Sequence, residues 1–413
     1  MLTTLFPITY TRYTSLPVLS TVLEDVCSWL ISRGYPANAI KRRMQAAPFL
    51  EQCLRERHIE SLSGCNAEQL RACFPREDRW TPQIAYALGR SLLSYLEERG
   101  DLASTPTASE LLIDDYCQHL KRVRGFASTT IRRHADVAGD FLGFLRYEDD
   151  PQRLVCIQSA DLEGFILEAS SHLGRVAMQK VIAIMRSFLK FLSATGRASV
   201  GLDQFLEAPR HYRGQHLVRA LPWNDVLSIL CVVDQSTVKG RRDYAMLLLI
   251  ATYGLRPSEI SSLKLDDIQW RARVISVPRP KIGTPLVVPL TDEVATALLA
   301  YLRARAPDSG ARQLFLRVRA PRGPVLSSAV GDAFDFWAAR AGVRMPGLGG
   351  PYVLRHGLAM NLLRRGTSLK TIGDLLGHRS VESTGIYLRL QIEDLRDVAL
   401  PLPVRNLGSE VRP

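Results

Sequence analysis

The chain has 413 residues, more than a single hydrophobic core usually supports, so two or three domains are expected. Hydrophobic residues make up 46% and charged residues 23% of it, an ordinary globular composition that excludes a mostly disordered chain. The formal net charge of +12 favours a polyanionic partner, either a nucleic acid or an anionic membrane surface.

The sequence supports neither a membrane segment nor thiol chemistry. Its longest apolar run, near Ala245 to Ala251, is far shorter than a bilayer span, and the N-terminus lacks a basic region followed by an apolar stretch. We therefore expect a cytoplasmic protein with no membrane partner. The 7 cysteines include no CxxC pair, and an odd number of scattered cysteines suits reduced thiols. All of them precede residue 240, so the C-terminal half has no thiol nucleophile.

Residues 1–104 predict an N-terminal helical extension of unknown role. Short helical patterns, for example Val22 to Arg33 and Ala67 to Cys73, are interrupted by prolines, and no catalytic pattern appears among them. The sequence S-T-P-T from Ser104 to Thr107 indicates a linker, because a proline among small polar residues neither continues a helix nor packs in a core.

Residues 105–208 predict a bundle of four helices. Apolar residues recur at helical spacing in Leu112, Tyr116 and Leu120, and again between Ile131 and Leu145. Basic residues cluster on the polar faces, and this clustering favours contact with phosphates, although any one of them alone would more simply be a solvated surface residue. The candidates for DNA binding are Lys121, Arg122, Arg124, Arg132, Arg133, Arg175, Lys180, Arg186 and Lys190.

A basic connector and a third segment follow the bundle. Residues 209–220 read P-R-H-Y-R-G-Q-H-L-V-R-A, and Arg213 within this connector is a further candidate for contact with a DNA backbone. Residues 221–413 alternate helical patterns with one β-rich region, Val274 to Leu290. This pattern predicts an α+β domain that is mainly helical.

The first chemical motif is Y-G-L-R-P-S-E-I, which follows a strongly apolar helix. Gly254 ends that helix, and Pro257 suits the first position of the next one. Because a residue before proline is biased away from the helical region, Arg256 lies at a bend, where its guanidinium could bind a phosphate through two N–H groups. The alternative is an ordinary arginine in a helix-turn-helix connection.

The second motif is a hairpin, V-P-R-P-K-I-G-T-P-L-V-V-P-L, with Lys281 at its turn. A lysine at a hairpin tip could reach into an active site and protonate a leaving oxygen, provided that its surroundings lower its pKa. The alternative is a solvated turn lysine.

The third motif combines Y-V-L-R-H-G-L-A with L-L-G-H-R-S-V-E-S-T-G-I-Y. An apolar stripe predicts a helix that begins near Tyr352, Arg355 and His356, and a helix N-terminus favours anions. The spacing between His378 and Tyr387 allows both side chains to face one pocket. The alternatives are a histidine that caps a helix and a tyrosine that is half buried in the core.

In this order and spacing, the motifs resemble the tyrosine recombinase (phage integrase) family from about Ala108 to Leu395. The resemblance implies a mainly α fold, with a helical SAM-like core-binding bundle and an α+β catalytic domain that carries a small β-sheet. It implies a site-specific recombinase or integrase of a mobile element, which cleaves and rejoins DNA through a 3′-phosphotyrosine. The 104 residues before the bundle favour a mobile element.

The resemblance also implies roles for individual residues. Tyr387 corresponds to the nucleophile, Arg256 and Arg355 to the residues that bind the scissile phosphate, Lys281 to the general acid, and His378 to a hydrogen-bond donor. Glu259 would support Arg256 from behind. Tyr352 departs from the family, which most often has histidine there, and a phenol is a poor base because its ordinary pKa is near 10.

The same resemblance implies double-stranded DNA as partner and no cofactor. Four protomers would act on two paired sites in association with the nucleoid, with partner recombinases or accessory proteins as further partners. Two alternatives remain from sequence: an accessory DNA-binding protein of the same fold, and a topoisomerase-like enzyme that reseals one duplex. A metal-dependent transposase finds little support, because the paired acids Asp114/Asp115, Asp149/Asp150 and Asp266/Asp267 lie on unrelated elements.

Overall fold

The computed structural model of the chain describes residues 2–63, 65–74, 83–102, 106–209, 220–279, 284–305, 310–343, 350–378 and 380–388. They belong to two compact units. One unit comprises the described residues of 1–60, 70–98 and 216–413, and the other those of 61–69 and 99–215. The predicted bundle therefore has a unit largely to itself, whereas most of the N-terminal extension shares a unit with the predicted catalytic segment.

The described part of the N-terminal extension contains seven helices. They are α1 (Leu2–Leu5), α2 (Thr11–Thr14), α3 (Ser20–Ser32), α4 (Ala37–Met44), α5 (Ala47–Glu56), α6 (Ala67–Ala72) and α7 (Gln83–Arg99). The buried carboxylate of Glu51 on α5 accepts hydrogen bonds from the backbone N–H groups of Val18 and Leu19, both at 2.9 Å, and so satisfies donors ahead of α3. The backbone N–H of Arg322 in the C-terminal segment donates to the Arg33 carbonyl at 2.9 Å.

The second unit contains the four predicted helices. They are α8 (Ala108–Arg124), α9 (Ser128–Phe144), α10 (Ser159–His172) and α11 (Arg175–Ala194). Thr107 begins α8 with a capping box, and Gly125 ends it in the left-handed conformation, which glycine adopts without strain. Tyr116, Phe141 and Phe188 are fully buried at the centre of the bundle. The hydroxyl of Tyr116 is hydrogen-bonded to His134 Nδ1 at 2.8 Å, so this polar group is satisfied in the core.

The C-terminal segment is built around one buried helix. Its helices are α12 (Trp223–Cys231), α13 (Val238–Tyr253), α14 (Pro257–Ser262), α15 (Asp292–Ala304), α16 (Ser327–Arg340), α17 (Tyr352–Arg364), α18 (Leu369–Leu376) and α19 (Val381–Gly385). Helix α13 packs against α15, α16 and α17, and Ala245 to Ala251 are all buried. The apolar run noted in the sequence is therefore the central core helix of this segment. In the described part of the chain, no helix combines the length and apolarity needed to cross a membrane.

The predicted β-rich region forms a small sheet. Strands β1 (Ile268–Gln269), β2 (Val274–Val277) and β3 (Leu286–Pro289) are antiparallel in the order β1-β2-β3, with Ile275 opposite Val288. Ile275 and Val288 are both buried in the core that the helices form. They point to the same face of the sheet because alternate residues of a strand face the same side. The predicted mainly α fold with a small sheet is confirmed.

A glycine in the first turn of α13 provides a test of this packing. A Cβ atom built on Gly240 would lie 1.7 Å from the backbone oxygen of Asp234, which cannot move without shifting the chain. We expect Gly240→Ala to lower the free energy of unfolding by about 1–3 kcal/mol, measured by urea denaturation. In the control Gly331→Ala, within α16, the added Cβ meets its nearest atom at 3.8 Å, and stability should rise by about 0.5–1 kcal/mol. Equal effects of the two substitutions would contradict the packing described.

Candidate active site

Four turns bring the predicted site residues together. Gly254 ends α13 with a φ of 63°, and a Cβ at this position would lie 2.5 Å from the Leu376 side chain, so glycine permits both the turn and the close approach. Arg256 follows in an extended conformation immediately before α14. Arg355 lies in the first turn of α17, and His378 follows the left-handed Gly377 that ends α18. Tyr387 follows α19.

Arg355 joins three of these elements. Its side chain is buried, with Nη1 donating to the Gly254 carbonyl and Nη2 to the Leu376 carbonyl. Burial, together with the charge of Arg256, lowers the pKa of Arg355 to about 10, so the guanidinium is still charged at neutral pH. This positive charge is fixed in place by the ends of two helices.

Glu259 is a buried carboxylate that contacts two arginines. Its Oε1 lies 2.7 Å from Arg256 Nη1 and 3.3 Å from Arg279 Nε, and its Oε2 accepts from the Arg256 backbone N–H at 2.8 Å. Arg256 Nη2 reaches the Gly377 carbonyl at 3.3 Å. Glu259 thus supports Arg256 from behind, the position that the resemblance gives it.

Arg279 was not among the predicted site residues. It lies just after β2, is buried, and donates from Nη2 to the Leu375 carbonyl at 3.2 Å. Burial lowers its pKa, Glu259 raises it, and the neighbouring Arg256 lowers it further. The only sequence signal was its place two residues before Lys281 in the hairpin motif.

His378 and Tyr387 share one pocket. Their rings are stacked, with centroids 6.3 Å apart and an interplanar angle of 15°, and His378 Nδ1 lies 2.9 Å from the Thr384 hydroxyl. Burial lowers the pKa of His378 to about 4, and the charges of Arg355 and Arg256 act in the same direction. The imidazole is therefore neutral at pH 7 and can donate one hydrogen bond.

The phenol of Tyr387 is enclosed. Its side chain has no exposed surface and packs with Ala359, Met360, Ile372 and Leu376. Burial raises its pKa to about 12, although the charges of Arg355 and Arg256 lower it. Tyr387 is thus buried, and a buried, protonated phenol must become accessible before it can attack a phosphate.

The enclosed phenol contacts a second histidine. Tyr387 Oη lies 2.9 Å from Nδ1 of His356, and the ring centroids are 5.7 Å apart. Burial lowers the pKa of His356 to about 4, with the charges of Arg355 and His378 as smaller causes. The sequence placed His356 at the start of its helix but gave it no role, and its position beside Arg355 in the chain was the available signal.

Two predicted catalytic residues, Tyr352 and Lys281, remain to be placed. Tyr352 is the first residue of α17 and is 46% exposed, whereas Arg355 and Tyr387 are buried. Lys281 lies outside the described residues, so its role stays a prediction.

The candidate DNA-binding residues of the bundle are mostly on its surface. The exposed ones are Lys121, Arg122, Arg124, Arg132, Arg133, Arg175, Lys180 and Lys190. Arg186 differs, since it is partly buried and donates from Nε to the Leu206 carbonyl at 3.1 Å, which leaves fewer of its N–H groups for a phosphate. Arg213 lies outside the described residues.

Comparison with known proteins identifies the family of this chain. Residues 219–393 match the sequence model of the phage integrase family. A protein of Sinorhizobium fredii named as an integrase/recombinase, y4rA, is 34% identical over 384 residues, which cover 91% of this chain and 92% of that protein. The tyrosine recombinase XerD of Listeria monocytogenes is 30% identical over 304 residues, which cover 70% of this chain and 96% of that protein.

Solved structures agree in fold. A lambda integrase dimer bound to a COC′ core site superposes with a TM-score of 0.51 at 18% identity, covering 65% of this chain and 94% of that one. XerH bound to difH in a pre-cleavage complex gives a TM-score of 0.51 at 15% identity, covering 80% of this chain and 93% of that one. Since the y4rA protein is similar along nearly its whole length, the chain belongs to the phage integrase family and is a tyrosine-type site-specific recombinase.

Proposed function

We propose that the chain binds double-stranded DNA and exchanges strands through a 3′-phosphotyrosine at Tyr387. The observation that carries this proposal is the set of charges around that phenol. Arg256 and Arg279 contact the buried carboxylate of Glu259, and the charge of Glu259 also acts on the nearby buried Arg355, so three arginines face one carboxylate and the site keeps an excess of positive charge. A negatively charged phosphate would balance this excess charge.

The arginines suit the charge that develops during the reaction. Attack on a phosphodiester adds negative charge to the non-bridging oxygens, and guanidinium groups that are already fixed stabilise this charge without rearranging. Arg355 is held by two backbone carbonyls and Arg256 by Glu259, so both groups are preorganised. His378 would donate a further hydrogen bond.

In the cleavage step Tyr387 Oη bonds to phosphorus, and the bond from phosphorus to the 5′ oxygen breaks. The leaving oxygen takes a proton, for which Lys281 is the proposed donor. The energy of the phosphodiester is kept in the tyrosine linkage, so a 5′ hydroxyl of another strand can reverse the step. The reaction thus needs neither ATP nor a metal ion.

Exchange between two sites requires more than one nucleophile. We propose a homo-oligomer, with four protomers on two paired sites, because each of four strands must be cut and rejoined. One compared structure is a dimer on its core site, which supports an assembly on DNA.

A covalent adduct tests the chemistry. The full chain would be incubated with a pool of nicked duplexes of randomised sequence, and SDS-stable complexes would be collected, sequenced and mapped by mass spectrometry. We expect an adduct on Tyr387 that disappears in Tyr387→Phe. Tyr244→Phe, which removes a hydroxyl from α13 outside the site, should leave it unchanged.

Each other outcome has a definite meaning. An adduct on Tyr352, or one that survives in Tyr387→Phe, would contradict the assigned nucleophile. A chain that binds the duplexes but gives no adduct would be an accessory DNA-binding protein. Once a target is recovered, joining between two differently labelled duplexes is expected, and resealing of one duplex alone would indicate a topoisomerase.

A further inference from the structure

The phenol of Tyr387 contacts a group that can accept its proton. Nδ1 of His356 lies 2.9 Å from Tyr387 Oη, within hydrogen-bonding distance. The phenol O–H can donate to Nδ1 when the imidazole proton is on Nε2, and this is the tautomer in which His356 can act as a base. Arg355 immediately precedes His356 in the chain, so this pair lies beside Arg355.

We propose that His356 is a catalytic residue that takes the phenol proton when Tyr387 attacks the scissile phosphate. This inference rests on the proposed function, since it concerns the same phenol. As the bond from Oη to phosphorus forms, the O–H electron pair stays on Oη and the proton moves to Nδ1. The 5′ oxygen leaves with the electrons of its bond to phosphorus and is protonated by its own donor, Lys281. His356, now an imidazolium, returns the proton to the phenolate when the strand is rejoined.

The other groups around Tyr387 are less suited to this task. His378 presents the face of its ring to the tyrosine ring, and its Nδ1 is hydrogen-bonded to Thr384. Arginine has no lone pair to accept a proton. Tyr352, at the position where the family most often has histidine, is a phenol with little basicity at neutral pH.

Electrostatics link the basicity of His356 to the presence of DNA. Burial and the charge of Arg355 hold the pKa of His356 low, so its ring is neutral and, with its proton on Nε2, has a lone pair on Nδ1 for the phenol proton. A phosphate bound by Arg355 would offset that charge and raise the pKa of His356 toward its ordinary value, which makes it a stronger base. Burial raises the pKa of Tyr387, so the phenol does not ionise unaided.

The test distinguishes a role of His356 in proton transfer from a role in packing. In His356→Asn, the amide oxygen can still accept the phenol hydrogen bond but cannot take up the proton. We expect single-turnover adduct formation on the recovered nicked target to fall roughly 10²-fold, as for loss of a general base. The rate of adduct formation in His356→Ala should fall at least as far. A trifluorinated tyrosine incorporated at position 387 ionises much more readily, so it should restore most of the rate in His356→Asn.

A second assay bypasses the tyrosine. A strand that ends in a 3′ para-nitrophenyl phosphate can be joined to a 5′ hydroxyl by the same arginines, and its leaving group needs no proton. Wild type and His356→Asn should join it equally well, because neither Tyr387 nor its proton takes part. Equal joining would also show that the variant is folded and binds the phosphate.

The outcomes distinguish this inference from the function on which it rests. If the wild type forms no adduct and does not join the activated strand, the proposed function fails. If the wild type forms an adduct and His356→Asn forms it at the same rate, His356 is not the proton acceptor. If the fluorinated tyrosine fails to rescue His356→Asn, the histidine acts through packing, and the inference is overturned.

Discussion

Arg355→Lys is expected to slow formation of the covalent adduct by roughly 10²–10³-fold, the cost of losing one fixed donor to a developing oxyanion. The guanidinium of Arg355 spans two carbonyls, those of Gly254 and Leu376. Lysine carries one nitrogen on a flexible stem and cannot hold both carbonyls while also binding a phosphate. The loss should appear in single-turnover cleavage, since the charge it stabilises is greatest in the transition state.

Arg355→Lys should also lower the free energy of unfolding. One buried carbonyl would lose its donor, and such a loss costs about 1–3 kcal/mol. Arg364→Lys, an exposed position on the same helix, is the matched control and should change neither the cleavage rate nor the unfolding free energy. If Arg355→Lys cleaved as fast as Arg364→Lys, Arg355 would have no part in stabilising the transition state.

The elements of the fold could be predicted because local patterns specify them. The four-helix bundle follows from apolar spacing, and the sheet follows from β-rich runs on either side of a turn. What the sequence could not give was the contact between Arg33 and Arg322, which are far apart in the chain. No local pattern encodes such a contact, so the sequence does not predict that most of the extension shares a unit with the C-terminal segment.

The site could be predicted in part for a similar reason. Arg256, Arg355, His378 and Tyr387 lie in motifs whose order is typical of the family, and the structure places them close together. Arg279 and His356 lie within the same motifs, but their importance depends on which way their side chains point. The burial of Tyr387 is likewise a matter of tertiary packing, since the same sequence around it would suit an exposed phenol.

Glu259→Gln should destabilise the chain by about 3–5 kcal/mol, the cost of removing one partner from a buried ion pair. The carboxylate is 6% exposed and contacts both Arg256 and Arg279. Glutamine has the same shape and can still accept the Arg256 backbone N–H, but it leaves two guanidinium groups without an anion. Urea denaturation of the full chain, followed by circular dichroism, would measure the loss.

The control is an ion pair of the same kind on the surface. Asp266 pairs with Arg312, and both side chains are more than half exposed, so Asp266→Asn should cost no more than about 1 kcal/mol. Inorganic phosphate provides a second comparison. If the arginines form an anion site, phosphate should bind the folded Glu259→Gln variant and recover part of its lost stability, because a ligand of the folded state stabilises it. Phosphate should raise the free energy of unfolding of Asp266→Asn by less. An equal increase in the two variants would show that the buried arginines do not bind the anion.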